Sequence, residues 1–175
     1  YATNAIGTSY SAVGMFTTSA DFLYVDDGTG LVITAYTGAQ KQVVIPSTIA
    51  GRPVTRIGSF AFADQSTLTS VSFPSGVTVI GAGAFKNCTG LVSVTLPDGI
   101  SSIGASAFAS CVALAKITIP SSVSSIGIEA FQGCTGLKSV YFLGKAPSLD
   151  ISSFASVSAT GYYLSGATGY YPNGV

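Results

Sequence analysis

Residues 94–114 read VTLPDGISSIGASAFASCVAL, and residues 117–137 restate them in the same order as ITIPSSVSSIGIEAFQGCTGL. Residues 71–91, VSFPSGVTVIGAGAFKNCTGL, are a third copy in the same 23-residue register. Phe62, Phe85, Phe108 and Phe131 keep this period, with Phe154 a fifth member in a weaker context. The Ile-Gly pairs that begin at Ile57, Ile80, Ile103 and Ile126 keep it too, as do Leu68, Leu91, Leu114 and Leu137. Pro74, Pro97 and Pro120 follow suit, while Pro46 stands five residues early and places an insertion around Gly51-Arg52-Pro53. So many families of residues in one register mark an architecture of stacked repeats.

Inside one unit the apolar positions predict the local structure. Leu91 to Leu96 has the spacing Leu-x-x-Val-x-Leu, and its last part alternates with period two, as a short half-buried strand does. Pro97 then stops the ladder because it has no N–H to donate. Gly104 predicts a tight bend, and the Ala-rich stretch 105–111 predicts one short helical turn that sends Phe108 inward. A single unit cannot bury its apolar residues alone; copies stacked on one another bury them mutually. Their strands would run parallel about 4.8 Å apart, so the five coils expected here give a rod of about 24 Å. Phe62, Phe85, Phe108 and Phe131, with Cys88, Cys111 and Cys134, are the expected core columns.

The unit V-x-F/L/I-P-x-x-V/I-x-x-I-G-x-x-A-F-x-x-C-x-x-L resembles the BspA-like (Treponema pallidum-type) leucine-rich repeat of bacterial surface proteins. The resemblance is specific over 43–154 and looser over 21–42, where Asp26-Asp27-Gly28-Thr29-Gly30-Leu31 and Tyr36-Thr37-Gly38 look like the usual lead-in. It implies a leucine-rich repeat solenoid, an α/β-type repeat with short parallel strands that is mostly β, closed in front by a β-hairpin cap. It also implies a secreted or cell-surface protein that acts in adhesion, is not an enzyme, and binds through the strand-lined face.

The expected organisation is an arm at 1–20, a hairpin cap at 21–42, 23-residue repeats at 43–154 and a Tyr-rich cap or contact segment at 155–175. Phe22–Val25 and Leu31–Tyr36 flank a Gly-containing loop, which reads as a hairpin. The first residue is Tyr1 and no basic-then-apolar leader follows it. The chain reads as processed or excerpted, its targeting signal, if there was one, gone.

Composition narrows the function. Charged residues make up 8% of the 175, against roughly 25% in an ordinary domain. Seven basic side chains balance seven acidic ones, and His is absent. Without His there is no Ser-His or Cys-His couple and no imidazole-ligated zinc. A net charge of zero argues against a phosphate-binding surface and so against nucleic acid. No apolar run reaches the roughly 20 residues that span a bilayer.

The remaining candidates are weighed by their phase in the repeat. Three cysteines in one column are an odd count with no fourth ligand, which disfavours zinc. Side chains stacked in one column rarely reach disulfide torsions, so buried free thiols are the preferred reading. Asp64, Asp98 and Glu129 occupy three different phases, hence three faces, and make no paired-acid site. Asp26 and Asp27 sit in Asp-Asp-Gly, chiefly turn chemistry, with a weak calcium site as the alternative. No residue set calls for a cofactor or metal. The outward row of the strands, with Thr69, Ser72, Thr95, Lys116, Thr118, Lys138 and Tyr141, is the candidate interaction face for a protein partner. The other reading is a subunit that binds copies of itself end to end in a filament. Its candidate contacts are Val13, Phe16, Tyr162, Tyr163, Tyr170 and Tyr171, with strand addition from residues 1–20.

Overall fold

The Leu-x-x-Val-x-Leu element is a strand only as long as its alternation lasts, and the next proline ends it. In the computed structural model, which describes residues 9–11 and 14–19 as backbone, and 21–165 and 168–169 in full, that element recurs six times. The copies are β5 (Gln42–Val44), β8 (Ser70–Ser72), β10 (Ser93–Thr95), β12 (Lys116–Ile119), β14 (Ser139–Phe142) and β16 (Thr160–Tyr163). They pair in parallel as β5–β8–β10 and β12–β14–β16, with β12 packed beside β10. The sixth strand escapes a 23-residue count because Ser139 pairs with Thr160, only 21 residues on.

Each coil also carries a second strand that the sequence reading did not assign, only two residues long in the coils after the first. These are β7 (Arg52–Ile57), β9 (Val79–Ile80), β11 (Ser102–Ile103), β13 (Ser125–Ile126) and β15 (Ser148–Leu149). Together with β1 (Ser9–Ser11), β2 (Gly14–Ser19), β3 (Phe22–Asp26) and β4 (Leu31–Tyr36) they form one sheet in the order β1-β2-β3-β4-β7-β9-β11-β13-β15. The first four strands are antiparallel and the rest parallel. β1 and β2 thus pair antiparallel on the edge of β3 within the chain. Among the described residues β1 and β15 are the two edges of the sheet.

The five-residue insertion is itself a hairpin. β6 (Thr48–Ile49) pairs antiparallel with the start of β7. Its two turn residues, Ala50 and Gly51, both have positive φ, at 50° and 76°. That is the two-residue turn whose twist matches the flanking strands.

The described residues contain no helix, and the stretch 105–111 corrects the expected helical turn. A helix would send every N–H back along its own chain. Here alternate N–H groups do so, and the others reach the next coil. In residues 83–88, Ala84, Lys86 and Cys88 donate to carbonyls three residues back, at 3.3, 2.9 and 3.2 Å. Gly83, Phe85 and Asn87 donate to Ala105, Ala107 and Ala109 of the next coil, at 2.8, 2.7 and 2.8 Å. This alternation requires left-handed residues twice per coil: Phe60 and Asp64, Gly83 and Asn87, Ser106 and Ser110, Glu129 and Gly133. Half of these are Gly, Asn or Asp, which accept that conformation readily.

Glycine in the Ile-Gly pair has a different reason from the one its bend suggested. Gly104 does not have positive φ, but a Cβ on it would lie 2.6 Å from Ala82 N and 2.7 Å from Gly81 C. Gly81 and Gly127 face the preceding coil in the same way. This column fixes how closely coils approach.

The core runs unbroken along the rod. Phe62, Phe85, Phe108 and Phe131 are fully buried. Their rings stack with centroids 4.8, 5.2 and 5.3 Å apart, and Tyr36 and Phe154 extend the stack at its two ends at 5.2 and 4.9 Å. Each such pair adds about 0.5–1.5 kcal/mol to the burial of its rings. Cys88, Cys111 and Cys134 are buried and free. Their thiols donate to the carbonyls of Phe62, Phe85 and Phe108 at 3.0, 3.2 and 3.0 Å. Burial pushes the Cys88 thiol from its ordinary 9.0 up to about 12.

Candidate functional site

Strand alternation builds the candidate face. Val43, Val71, Val94, Ile117 and Val140 point inward, and the residues on either side of each point out. Register then sorts the outward side chains into columns. One column is Gln42, Ser70, Ser93, Lys116, Ser139 and Thr160; the other is Val44, Ser72, Thr95, Thr118, Tyr141 and Tyr162.

The structure brings most of the predicted face together. Ser72, Thr95, Thr118 and Tyr141 share one column, and Lys116 stands in the other. Lys138 precedes β14, and its N–H bonds Ala115 O at 2.9 Å, which sets it in the coil after Lys116 and one residue out of register. Thr69 is half-buried and structural: its hydroxyl donates to Lys41 O at 2.9 Å.

Two members of the face were not foreseen. Val44 heads the second column and is 75% exposed, a large apolar side chain facing water. Its own strand is displaced from the 23-residue register by the insertion, which hid it. Tyr162, expected among end contacts, lies directly opposite Tyr141. Their rings stack at 4.9 Å and 14°, with the residues 39% and 46% exposed. Tyr163 is next to it on β16 and exposed. Of the other expected end contacts, Val13, Tyr170, Tyr171 and the side chain of Phe16 lie outside the described residues.

Charge is divided unevenly around the rod. Arg52 pairs with Asp26 at 2.9 Å and Arg56 with Asp27 at 3.3 Å, locking the insertion hairpin to the β3–β4 loop. Asp27 Oδ1 also accepts the Thr29 hydroxyl and the N–H groups of Thr29 and Gly30, at 2.6, 2.9 and 3.2 Å. The Thr29 hydroxyl and N–H hold the Asp27 carboxyl below its usual range. Three carboxylate oxygens of this turn, Asp26 Oδ1 and both of Asp27, thus accept from backbone, hydroxyl or guanidinium donors. Among the described residues no three His, Cys, Asp or Glu gather as a metal site.

The last coil leaves a cavity of about 510 Å³ at its open side. It is lined by Val140, Phe142, Ile151, Phe154, Val157, Ala159, Thr160 and Gly161. Gly161 takes the place in the inner column that Val140 and Ile117 fill in the coils before it, which leaves the space open. No described helix is long and apolar enough to cross a membrane.

With this geometry in place, comparisons with known proteins become informative. A sequence profile of the BspA type leucine rich repeat region matches residues 55–167 in six copies. A leucine rich repeat protein of T. pallidum is 38% identical, with a TM-score of 0.69, over 83% of this chain and 64% of its own. A leucine-rich repeat protein from Bacteroides capillosus is 31% identical, with a TM-score of 0.66, over 73% of this chain and 97% of its own. A leucine rich cell surface protein from Faecalibacterium prausnitzii shares the fold at 24% identity, with a TM-score of 0.59. The chain spans less than two thirds of the T. pallidum protein's length. No curated protein matches it.

Proposed function

The chain belongs to the BspA-type leucine-rich repeat family, and on that premise we propose that it is a non-enzymatic adhesion module, secreted or displayed at a cell surface, that binds a protein partner. One observation carries this reading. The outward columns of two three-stranded parallel sheets, adjacent through β10 and β12, make a face on which Val44, Tyr141 and Tyr162 leave apolar surface in water. Exposed aromatic and apolar side chains among polar ones are what protein interfaces are built from.

The test is binding of the purified chain to a panel of host extracellular-matrix proteins, measured by biolayer interferometry. Thr95→Gln, Thr118→Gln and Tyr141→Ala replace exposed side chains without adding charge and leave the core intact. Each should weaken the bound partner at least tenfold with an unchanged melting temperature. A partner indifferent to all three is not held by the strand face, and a panel with no binder rejects the adhesive role.

A second reading has its own support. The open cavity of about 510 Å³ and the fully exposed Ile151 lie at one end of the rod, where the sheet also ends in β15. Contact between that end and the β1 edge of another copy would be head-to-tail and would generate an open filament. Because β1 and β2 are paired within their own chain, the donor would be the outer edge of β1 rather than a loose arm. Single particles at high protein concentration, unaltered by deletion of residues 1–20, reject this reading.

A further inference from the structure

We infer that the partner of the strand face is an acidic polypeptide segment, its carboxylates set against Lys116 and Lys138 and an aromatic residue set against Tyr141 and Tyr162. This rests on the strand-face reading above.

The charge distribution leads to it. The chain as a whole is neutral, with seven charges of each sign. Both arginines are neutralised by Asp26 and Asp27 beside the insertion hairpin. Three of the five lysines, Lys41, Lys116 and Lys138, stand on or immediately before strands of the ladder, all exposed and none in an ion pair within 4.0 Å among the described residues. No Asp or Glu occupies any position of the outward columns. Asp64 and Glu129 lie in the turn segments that carry the left-handed residues, and Asp98 lies in the Pro97–Gly99 turn beyond β10. A neutral protein thus presents a face of one sign.

Such a face draws in ligands of the opposite sign and repels like-charged ones. Lys116 and Lys138 lie in successive coils, on strands about 4.8 Å apart. That is close enough for one short segment to meet both. The stacked pair Tyr141–Tyr162 lies on β14, which Lys138 immediately precedes, and on β16, whose Thr160 N–H bonds Lys138 O at 2.9 Å. The charged and aromatic elements therefore form one patch at the C-terminal half of the ladder. The other outward column residues on β12, β14 and β16 are Thr118, Ser139 and Thr160, which supply hydrogen bonds and no competing charge.

The probes are the homopolymer poly-Glu and the random copolymer poly(Glu,Tyr), in which every fifth residue or so is Tyr. Binding to the intact chain is read by fluorescence anisotropy at about 50 mM and 300 mM salt. Poly(Glu,Tyr) should bind at least tenfold more tightly than poly-Glu, and both should weaken severalfold at the higher salt, where charges are screened within about 6 Å. The double variant Lys116→Glu/Lys138→Glu should lose at least tenfold with both polymers. Tyr141→Ala should abolish the advantage of poly(Glu,Tyr) alone. Lys86→Glu, on another side of the coil, should change nothing. All these side chains are exposed, and melting curves confirm that each variant folds.

Failure of poly(Glu,Tyr) to bind, or equal losses from Lys86→Glu and the double variant, overturns the inference. So does polygalacturonate binding as tightly as poly(Glu,Tyr), because the face would then select any polyanion. If Thr118→Gln abolishes binding of a matrix protein while Lys116→Glu/Lys138→Glu leaves it intact, the strand face stands and the acidic partner falls.

Discussion

Replacing Gly104 by Ala tests the packing of one coil on the next. The added Cβ would sit 2.6 Å from Ala82 N and 2.7 Å from Gly81 C, both backbone atoms with no rotamer to turn away. Ordinary contact begins near 3.4 Å, so the coils must separate locally by about 0.8 Å against a spacing of about 4.8 Å. The Gly104 N–H bonds Ile80 O at 2.8 Å. Stretched by that amount it passes 3.5 Å and ceases to be a hydrogen bond. Losing it in a buried setting costs about 1 kcal/mol, and overpacking adds about 1–3 kcal/mol. The expected destabilisation is about 2–4 kcal/mol, measured by urea unfolding at 25 °C. The control is Gly161→Ala, whose Cβ would meet nothing closer than 3.9 Å and which should cost less than about 0.5 kcal/mol. If Gly104→Ala unfolds at the same urea concentration as the parent, the glycine column does not set the approach of the coils.

Three further outcomes follow from particular residues. Ala50 holds a φ of 50° in the exposed turn of the insertion hairpin, so Ala50→Asn should stabilise the protein by about 0.5–1 kcal/mol; a fall in melting temperature contradicts the turn assignment. Gly161→Val should restore the inner column beside Val140 and fill part of the 510 Å³ cavity, raising stability by about 1–2 kcal/mol, and a destabilised variant would show that the space is not available to a side chain. Burial raises the Cys88 thiol from 9.0 to about 12, so the folded chain keeps a proton that the unfolded chain gives up. That contribution is complete below pH 9 and is lost as pH climbs towards 12; urea midpoints should fall over that window, less so in Cys88→Ala, and rapid labelling of the native thiols at pH 8 would refute their burial.

The stacked solenoid was legible because its evidence is periodic. Phe85, Phe108 and Phe131 can be read as one column without knowing any angle, and the ring stack follows. What escaped was whatever breaks or underlies the period. The sixth strand at Thr160–Tyr163 comes after 21 residues and carries Gly161 where Val is usual, so no template finds it. Val44 was hidden by the insertion before Phe62. The second strand of each coil after β7 is two residues long, too short for alternation to show. Residues 105–111 have helical composition, but the choice between a helix and coil-to-coil bonding is made by carbonyls 22 residues away. The face itself was named from alternation, whereas the pairing of Tyr141 with Tyr162 needed the shortened last coil.

The glycine column, the ring stack and the crossing N–H groups all repeat at one interval, and this constrains how the gene can change length. Removing 23 consecutive codons from the middle of the rod, such as those for 94–116, joins a coil to one that has the same sockets, and a shorter protein should still fold. Removing 22 or 24 would offset every column beyond the junction at once. Lineages that carry this architecture can therefore vary in reach by whole coils, through unequal recombination between near-identical stretches, while point insertions inside a coil are confined to corners like the one between Ile49 and Arg52.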